Sequence, residues 1–504
     1  MKEIIKSYLL SSVLLLAFLS AWACSSDKES EPNNPVPVVK TLTANVNHID
    51  FQNAGNESNV SITTNTKAWT ISSSDASWIQ LSQNSGISGT TTVKITALAN
   101  TSNATRTAVI TISSTEVSSV QVSVSQEGIT PVVNLYPSYN TNPVVADATG
   151  MSSSALQLAA KMKLGWNIGN TMEAIGGETA WGNPKVTKAL IDLVKANGFN
   201  AIRIPCSWNQ NLANATTAQI KTEWLDRVKE VVQYCVDNDM YVIVNIHWDG
   251  GWLENNCTEA QKEANNAKQK AFWEQIATHL RGFDEHLLFA SANEPNVENA
   301  TQMAVLTSYH QTFIDAVRST GGKNAYRNLI VQGPSTDIEK TNKLMTTLPT
   351  DKVANRMMAE VHYYTPYQFC LMDKDANWGK MFYYWGANYH STTDVTRNSS
   401  WGEEADLDKF FVSMKTQFVD KGIPVILGEF GAIRRDLTGD ALTLHLNSRA
   451  YFLKYVVKQA KANGLIPFYW DAGNLGVNTM SLFNRSNNTV YDSQALNALL
   501  DGLK

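Results

Sequence analysis

The sequence predicts a small all-β, immunoglobulin-like sandwich followed by an α/β domain that folds as a (β/α)8 TIM barrel. Three observations predict this arrangement. The chain has 504 residues, which is more than one compact domain usually holds. Short alternating runs fill residues 40–128, and from Met151 onward apolar runs alternate with amphipathic helical patterns. We therefore expect two folded units with connecting segments around them.

The first 23 residues have the pattern of an export signal. The apolar run at residues 9–19 is too short to span a bilayer, and Ala21-Trp22-Ala23 offers a cleavage site before Cys24. Cys24 and the acidic segment after it resemble the start of surface-displayed lipoproteins of Bacteroidetes. We therefore expect a lipid anchor on Cys24 in the outer membrane and an acidic, proline-rich tether over residues 24–39. A periplasmic or secreted protein is the alternative.

The composition favours a neutral ligand. The formal net charge is −5 and 17% of the residues are charged, so the chain offers no basic stripe for nucleic acid. The 14 Trp, 17 Tyr and 16 Phe side chains supply flat rings that can stack on sugars, although core packing accounts for many of them. Four further cysteines lack metal-ligand spacing, and a disulfide among them stays open, with a buried thiol preferred for Cys235. They are Cys206, Cys235, Cys257 and Cys370.

The segment 40–128 is rich in Ser, Thr, Asn and Val, and turn-forming residues recur along it. Its alternating runs lie at residues 59–64, 69–73, 91–98, 107–113 and 120–126. This pattern predicts an antiparallel sandwich in which one face of each strand is buried. Trp69 and Trp78 lie within such patterns and are expected in the core. Residues 129–150 contain three prolines and are predicted to form an extended linker.

Eight β-rich apolar runs follow in residues 151–504. They lie at residues 164–168, 201–205, 241–247, 287–292, 329–332, 358–363, 424–429 and 465–470. Apolar residues at helical spacing, such as Leu190 and Val194 or Val228 and Cys235, separate the runs. Eight units of strand then helix in a segment of this length fit a TIM barrel. A doubly wound sheet is the alternative.

Functional side chains of such a barrel lie at the C-terminal ends of its strands. Several predicted strands end in polar or aromatic residues. These are Arg203, His247, Trp248, Asn293, Glu294, His362, Tyr364, Glu429 and Trp470. Singly, each has a structural explanation, such as an ion pair or a loop cap. Taken together, the set predicts an active site.

The set resembles glycoside hydrolase family 5, and the resemblance covers the chain from Met151 to the C-terminus. Gly-Trp-Asn-Ile-Gly-Asn-Thr at residues 165–171 and Trp-Gly-Asn-Pro at residues 181–184 resemble its subfamily 4, a group of endo-β-1,4-glucanases that includes xyloglucanases. Trp69, Trp78 and the closing Val-Ser-Val-Ser-Gln-Glu-Gly of the first unit resemble a BACON domain. We expect a spacer there, because the sequence lays out no exposed aromatic platform.

The resemblance implies retaining hydrolysis with Glu294 as the acid/base and Glu429 as the nucleophile. Retention needs the two carboxyl groups about 5 Å apart. Glu294 must be protonated, so negative Glu429 is expected to raise the pKa of Glu294, while Arg203 and Tyr364 stabilise ionised Glu429. Neither step calls for a metal ion or cofactor. The expected substrate-binding residues are Asn170, Arg203, His247, Trp248, Asn293, His362, Tyr364 and Trp470.

The resemblance further implies that the substrate is a neutral β-glucan cut internally, and we expect the enzyme to be a monomer. Xyloglucan is favoured, followed by mixed-linkage β-glucan and cellulose derivatives. A surface glycan-binding protein on an inactive barrel is the alternative of another class, and a β-mannanase or xylanase is the alternative within the enzymes. About half of seven tryptophans in or beside the βα loops are expected to touch substrate. They are Trp166, Trp181, Trp208, Trp248, Trp252, Trp385 and Trp401.

Overall fold

The computed structural model describes residues 38–129 and 135–504, and the chain divides into two compact units between Val133 and Asn134. Each unit has its own hydrophobic core. The predicted export signal, Cys24 and most of the predicted tether lie outside the described residues. Within the described ranges, no helix is both long enough and apolar enough to cross a membrane.

The first unit is an all-β domain of seven strands. They are β1 Leu42–Ala44, β2 His48–Phe51, β3 Asn56–Ser73, β4 Ile79–Leu81, β5 Ser85–Ala97, β6 Arg106–Ser114 and β7 Val117–Gln126. The five predicted runs fall almost entirely within β3, β5, β6 and β7. The first two runs form one strand, whose pairing with β5 shifts register between Thr64 and Ala68. The expectation of antiparallel pairing throughout is corrected at one place, since β2 and β7 pair in parallel.

The alternation of these strands buries every aromatic side chain of the described sandwich. Trp69 and Trp78 are 1% and 2% exposed, as predicted, and Phe51 is also buried. The Trp69 indole N–H donates to the carbonyl of Ile87 at 3.2 Å, and the Arg106 guanidinium lies 4.4 Å from the centre of a Trp78 ring. The described part of this unit therefore presents no aromatic ring to a ligand.

The second unit is built on a closed barrel of eight parallel strands, with two short hairpins in its loops. In chain order the strands are β8 Gly165–Ile168, β9 Ala201–Ile204, hairpin strands β10 Leu212–Asn214 and β11 Gln219–Ile220, β12 Tyr241–Asn245, β13 Leu287–Ala290, β14 Leu329–Gln332, β15 Met357–Tyr363, β16 Val425–Phe430, β17 Leu465–Asp471, and hairpin strands β18 Phe483–Asn484 and β19 Thr489–Val490. Each of the eight predicted runs matches one barrel strand to within two residues at either end. The predicted TIM barrel is confirmed.

Helices cover the outside of the barrel and alternate with its strands. The α-helices are α1 Ala155–Lys161, α2 Lys188–Ala196, α3 Thr222–Val236, α4 Glu259–Leu280, α5 Ala300–Ser319, α6 Ile338–Leu344, α7 Tyr367–Cys370, α8 Glu404–Gln417, α9 Gly439–Ala462 and α10 Ser493–Gly502. The predicted helical residues Leu190 and Val194 face the core from α2, and Val228 and Cys235 do so from α3. Thr187 caps α2, because its side chain accepts the backbone N–H of Leu190.

The N-terminal end of the barrel is closed by α1. The Ser154 hydroxyl accepts the N–H of Gln157, and the Gln157 side chain accepts the N–H of Ser154, which forms a capping box. Leu158 and Met162 then pack against inward-facing apolar residues of the strands. The inward residues of this layer are Ala201, Ile243, Leu288, Ala290, Ile330, Met358, Ile426, Ile466 and Phe468.

Residues 135–150, which the sequence assigned to a linker, belong to the unit of the barrel. The Tyr139 backbone N–H donates to the buried Glu274 carboxylate at 2.7 Å, and its hydroxyl donates to the carbonyl of Thr217 at 2.8 Å. Further along, Val144 forms a β-bridge with Gly321. The backbone and side chains of this segment find partners on the barrel surface, so this part of the linker assignment is corrected.

The four cysteines of the described residues are free and buried. No disulfide forms among them, which resolves the alternative that the sequence left open. Burial raises the pKa of the Cys235 thiol far above its usual value, so the side chain packs as a small neutral group, as expected.

Candidate active site

A bulge in β16 brings the two halves of the site together. Val361 of β15 pairs with Leu427, but the next residue, His362, pairs with Glu429, so Gly428 is the extra residue. A bulge re-aims the side chains that follow it. The position also requires glycine, because a Cβ on Gly428 would lie 2.1 Å from Oε1 of Glu360. Glu429 therefore stands beside His362.

Glu294 and Glu429 face each other at the C-terminal end of the barrel. One oxygen of each carboxyl group and one ring nitrogen of His362 all lie within 4.8 Å of one another. The Glu294 side chain is 42% exposed, whereas that of Glu429 is 8% exposed. The sequence placed both residues at strand ends, and the structure brings their carboxyl groups together there.

Arg203 is the central donor of the site and is fully buried. Its Nη1 donates to Glu429 at 2.8 Å and to the side chain of Asn167 at 3.1 Å, while Nη2 donates to the Asn293 side chain at 2.8 Å. Its Nε lies 3.0 Å from Oε1 of Glu360. One guanidinium therefore fixes four side chains, and its predicted contact with Glu429 is confirmed.

Tyr364 supplies the second predicted donor to Glu429, through its hydroxyl at 3.1 Å. Burial and the negative charge of Glu429 raise the pKa of this phenol well above its usual value. Tyr364 therefore keeps its proton and acts as a hydrogen-bond donor to the carboxylate.

His362 lies between three carboxyl groups and carries a positive charge. Its Nδ1 is 2.7 Å from Oε1 of Glu294, and its Nε2 is 3.2 Å from Oε1 of Glu360. Burial lowers the pKa of His362, but the charge of Glu429 and the hydrogen bonds to Glu294 and Glu360 outweigh it and raise the pKa to about 10. Both ring nitrogens therefore donate.

The pKa directions of Glu294 and Glu429 correct one expectation. Burial raises the pKa of Glu294, but the hydrogen bond and charge of His362 and the charge of Arg203 outweigh burial, and the pKa is lowered. Burial raises the pKa of Glu429, and the positive charges of His362 and Arg203 offset it only in part. The sequence predicted the reverse for Glu294, because it did not place a protonated histidine within hydrogen-bond distance of that residue.

His247 and Trp470 form one wall of the site, with ring centres 5.8 Å apart and planes 14° from parallel. Burial and the positive charges of Arg203 and His362 lower the pKa of His247 well below its usual value, so the ring is neutral. Gly169, which precedes Asn170, lies against the Trp470 indole. Asn170 has a left-handed backbone with φ of 58°, and its carbonyl accepts the Asn183 side chain at 3.0 Å.

The seven tryptophans differ in their exposure. Trp181, Trp248 and Trp401 are exposed, and each follows a barrel strand at the end that carries the site. In contrast, Trp166, Trp208 and Trp385 are fully buried core residues. Trp252 is intermediate, and its indole N–H donates to Asp249 at 2.9 Å. The structure thus leaves three of the seven tryptophans well exposed, and the contact of about half of them with substrate stays a prediction.

The sequence reasoning missed two buried carboxyl groups of the site. Glu360 is fully buried, and besides its contacts with Arg203 and His362 it accepts the Gln332 side chain at 2.6 Å. The sequence could have indicated Glu360, because a residue two positions before His362 on a strand faces the same side as His362. Glu254 lies in the loop after β12 and accepts the backbone N–H of Glu294 at 2.7 Å. No periodic pattern marks a loop residue of that kind.

Among the described residues, one group of three side chains has the spacing of metal ligands, namely Glu294, His362 and Glu429. A histidine must be neutral to coordinate an ion through its lone pair. The two ring nitrogens of His362 both donate to carboxylates and its pKa is raised to about 10. The chemistry of this group therefore fits proton transfer better than metal binding.

Comparison with known proteins agrees with the two families that the sequence resembles. The model of cellulases, glycosyl hydrolase family 5, matches residues 167–476, and the model of BACON, a putative N-terminal binding domain, matches residues 67–127. A xyloglucan-specific endo-β-1,4-glucanase of Bacteroides ovatus is 36% identical over 97% of this chain and 96% of its own length. Endoglucanase A of Paenibacillus barcinonensis is 36% identical over 73% of this chain and 94% of its own.

Solved structures of family 5 enzymes are also similar to this chain. A Bacteroides ovatus family 5 xyloglucanase in complex with a XXXG heptasaccharide has a TM-score of 0.68 at 36% identity, covering 92% of this chain and 100% of that one. A family 5 xyloglucanase from Paenibacillus pabuli has a TM-score of 0.64 at 38% identity, covering 69% and 100%. The barrel with its paired glutamates is that of a glycoside hydrolase. The chain belongs to glycosyl hydrolase family 5, with a BACON domain ahead of the barrel.

Proposed function

We propose that this protein hydrolyses β-1,4-glucans internally and with retention, that xyloglucan is its preferred substrate, and that Glu429 is the nucleophile and Glu294 the acid/base. The observation that carries this proposal is the carboxyl pair, whose facing oxygens lie within 4.8 Å of each other. Retaining enzymes hold their carboxyl groups about 5 Å apart, whereas inverting enzymes need roughly 6.5–9.5 Å to admit water.

In the first step, a Glu429 oxygen attacks the anomeric carbon while the bond to the glycosidic oxygen breaks. The electron pair of that bond goes to the leaving oxygen, which takes the proton of Glu294. In the second step, Glu294 removes a proton from water, the water oxygen bonds to the anomeric carbon, and Glu429 leaves. Glu429 suits attack because Arg203 and Tyr364 fix its orientation.

Substrate binding favours the protonated form of Glu294 that the first step needs. The 42% of the Glu294 side chain that is exposed faces the position of the substrate, whereas Glu429 is already enclosed. Covering Glu294 with a neutral sugar removes water from its charged form and raises its pKa. Arg203 and His362 also face three carboxyl groups, Glu294, Glu360 and Glu429, so the cluster becomes neutral when it takes up one proton.

Exposed rings and the relatives support a glucan substrate. Trp181, Trp248 and Trp401 offer exposed rings in loops at the end of the barrel that carries the site, which suits the C–H faces of a long sugar chain. The relatives carry names of xyloglucan-specific and broad-specificity endoglucanases. Asn170, His247, Asn293, His362 and Trp470 are the remaining residues proposed to contact the sugar in the cleavage subsite.

A substrate panel tests this proposal. Purified protein covering residues 38–504 would be incubated with xyloglucan, barley β-glucan, carboxymethyl-cellulose, mannan and xylan, with Glu429→Ala as the blank. We expect oligosaccharides from xyloglucan first, and proton NMR should show the β-anomer before mutarotation. Release from mannan or xylan alone would reassign the substrate. Binding without any release would favour a glycan-binding protein, and the α-anomer as the first product would overturn retention.

We further propose that the protein is a monomeric lipoprotein of the outer-membrane surface, tethered through Cys24. The support is the sequence pattern around Cys24 and the resemblance to Bacteroidetes lipoproteins. Metabolic labelling with palmitate tests the anchor, with Cys24→Ser as the matched control. Equal label in both proteins, or none in either, would contradict lipidation, and light scattering of the purified protein measures its oligomeric state.

A further inference from the structure

One buried carboxyl group next to the catalytic pair has no role in the mechanism above. Glu254 lies in the loop after β12 and is 6% exposed. The side chain accepts the backbone N–H of Glu294 at 2.7 Å, and its own carbonyl accepts the backbone N–H of Asn296 at 2.8 Å. Asn255 adds a third contact, since its side-chain oxygen accepts the Asn296 amide at 2.7 Å. These contacts hold the loop after β12 against the loop after β13, at the position of the acid/base Glu294.

We propose that Glu254 is a positioning residue that fixes the backbone of Glu294 and, through its own ionisation, keeps Glu294 protonated to higher pH. The proposal rests on the acid/base role of Glu294 given above. Under this proposal, Glu254 is a third carboxyl group whose ionisation affects catalysis, besides Glu294 and Glu429.

The geometry favours positioning over ordinary packing. The carboxyl group of Glu254 reaches the peptide N–H of Glu294 itself rather than a remote turn, so a displacement of the loop displaces the acid/base directly. Next to Glu294, the Asn293 side-chain oxygen accepts Nη2 of Arg203 at 2.8 Å, so the residue before the acid/base is also fixed. Errors of about 1 Å in such positions cost on the order of 10²-fold in rate.

The surroundings place the titration of Glu254 near neutral pH. Burial raises its pKa, the hydrogen bonds from the Glu294 backbone and the Asn293 side chain lower it, and the charges of Glu294 and Glu429 raise it, with a result of about 7. The Cys257 thiol faces it from its own loop, while Arg203 and His362 hold the far side of the carboxyl pair. The hydrogen-bond partners of Glu254 are thus neutral groups, and no cation shares its immediate contacts in the described structure.

The sign of the effect follows from these contacts. Below pH 7 Glu254 is neutral and adds no charge to the site. Above pH 7 it becomes negative, which disfavours the charged form of neighbouring Glu294 and raises the pKa of that acid. The alkaline limb of kcat reports the ionisation of the acid in the complex with substrate. Glu254 therefore extends activity to higher pH.

The test compares pH profiles of kcat and KM on soluble xyloglucan for the wild type, Glu254→Gln and Glu254→Ala. Gln keeps the acceptor oxygen but cannot ionise. We expect its kcat near pH 5 to stay within about threefold of the wild type, and its alkaline limb to move down by about half a pH unit to one unit. Ala removes the acceptor, so kcat should fall about tenfold or more at all pH values with KM little changed.

Glu274→Gln is the matched control. Glu274 is also a buried carboxyl group that accepts a backbone N–H, from Tyr139, but it lies on α4 away from the catalytic pair. Its pH profile should equal that of the wild type. An unmoved alkaline limb in Glu254→Gln would overturn the ionisation role, and an unchanged kcat in Glu254→Ala would overturn positioning. If the Ala variant fails to fold, a wild-type alkaline limb in the Gln variant still overturns the ionisation role, whereas an inactive wild type contradicts the proposed function.

Discussion

The two ends of one barrel carry opposite kinds of side chains. At the N-terminal end the inward positions are apolar, such as Ile243, Leu288 and Ile426, and Leu158 of α1 closes the layer. At the C-terminal end the same strands bury charges, among them Arg203 and Glu360. Burying an ion costs several kcal/mol even when it is paired, whereas an apolar side chain contributes about 1.5–3 kcal/mol. One end of these strands therefore supplies stability, and the other end holds the reacting groups.

The nucleophile should show the largest effect of any substitution. We expect Glu429→Ala to lower kcat on xyloglucan by at least about 10⁴-fold, because no covalent intermediate can form without its carboxylate. Reducing-sugar release measures the loss, and thermal unfolding should show a folded protein. A variant that keeps a tenth of the activity would show that the charged end of the barrel is not the reaction site.

The acid/base should show a smaller loss that depends on substrate. Glu294→Ala should lower kcat on polysaccharide by about 10²–10⁴-fold but spare aryl glucosides with acidic leaving groups, since such groups depart without a proton. Parallel rates on xyloglucan and on a dinitrophenyl cellobioside measure the split. Equal losses on both substrates would remove the acid/base role from Glu294.

The opposite end of the barrel should respond in stability alone. Leu158→Ala removes a fully buried side chain from the apolar layer, which should lower the free energy of unfolding by about 2–5 kcal/mol. Denaturant unfolding measures this change, and kcat at 25 °C should equal that of the wild type. A fall in kcat without a fall in stability would show that the two ends are coupled.

The same contrast explains how much could be read from the sequence. Strand and helix periodicity repeats along the chain, so the eight strands, the buried Trp69 and Trp78, and the positions of Glu294 and Glu429 were predicted. The charge state of His362 was not, because it depends on carboxyl groups brought together from several strands. The clamp of Glu254 on Glu294 joins two loops, and no periodicity reports a contact of that kind.

The docking of residues 135–150 was missed for a related reason. Prolines favour an extended backbone, but they do not indicate what that backbone touches. Tyr139 packs against the barrel core and hydrogen-bonds Thr217 and Glu274, and each contact lies far away in sequence. A linker and a docked extended segment therefore have the same local sequence pattern.

The smallest expected effect comes from removing the sandwich. Its described residues bury Phe51, Trp69 and Trp78 and offer no exposed ring, so it lacks the stacking surface on which sugar binding usually depends. A chain that begins at residue 135 should keep kcat/KM on soluble xyloglucan within about twofold of residues 38–504, since a lost binding residue would cost tenfold for every 1.4 kcal/mol.

A chain that begins at residue 151 is the matched comparison. It lacks the docked segment with Tyr139 and should unfold at a lower temperature while keeping its catalytic residues. A large rise in KM in the chain that begins at residue 135 would make the sandwich a substrate-binding module, because that chain retains the docked segment and the whole barrel.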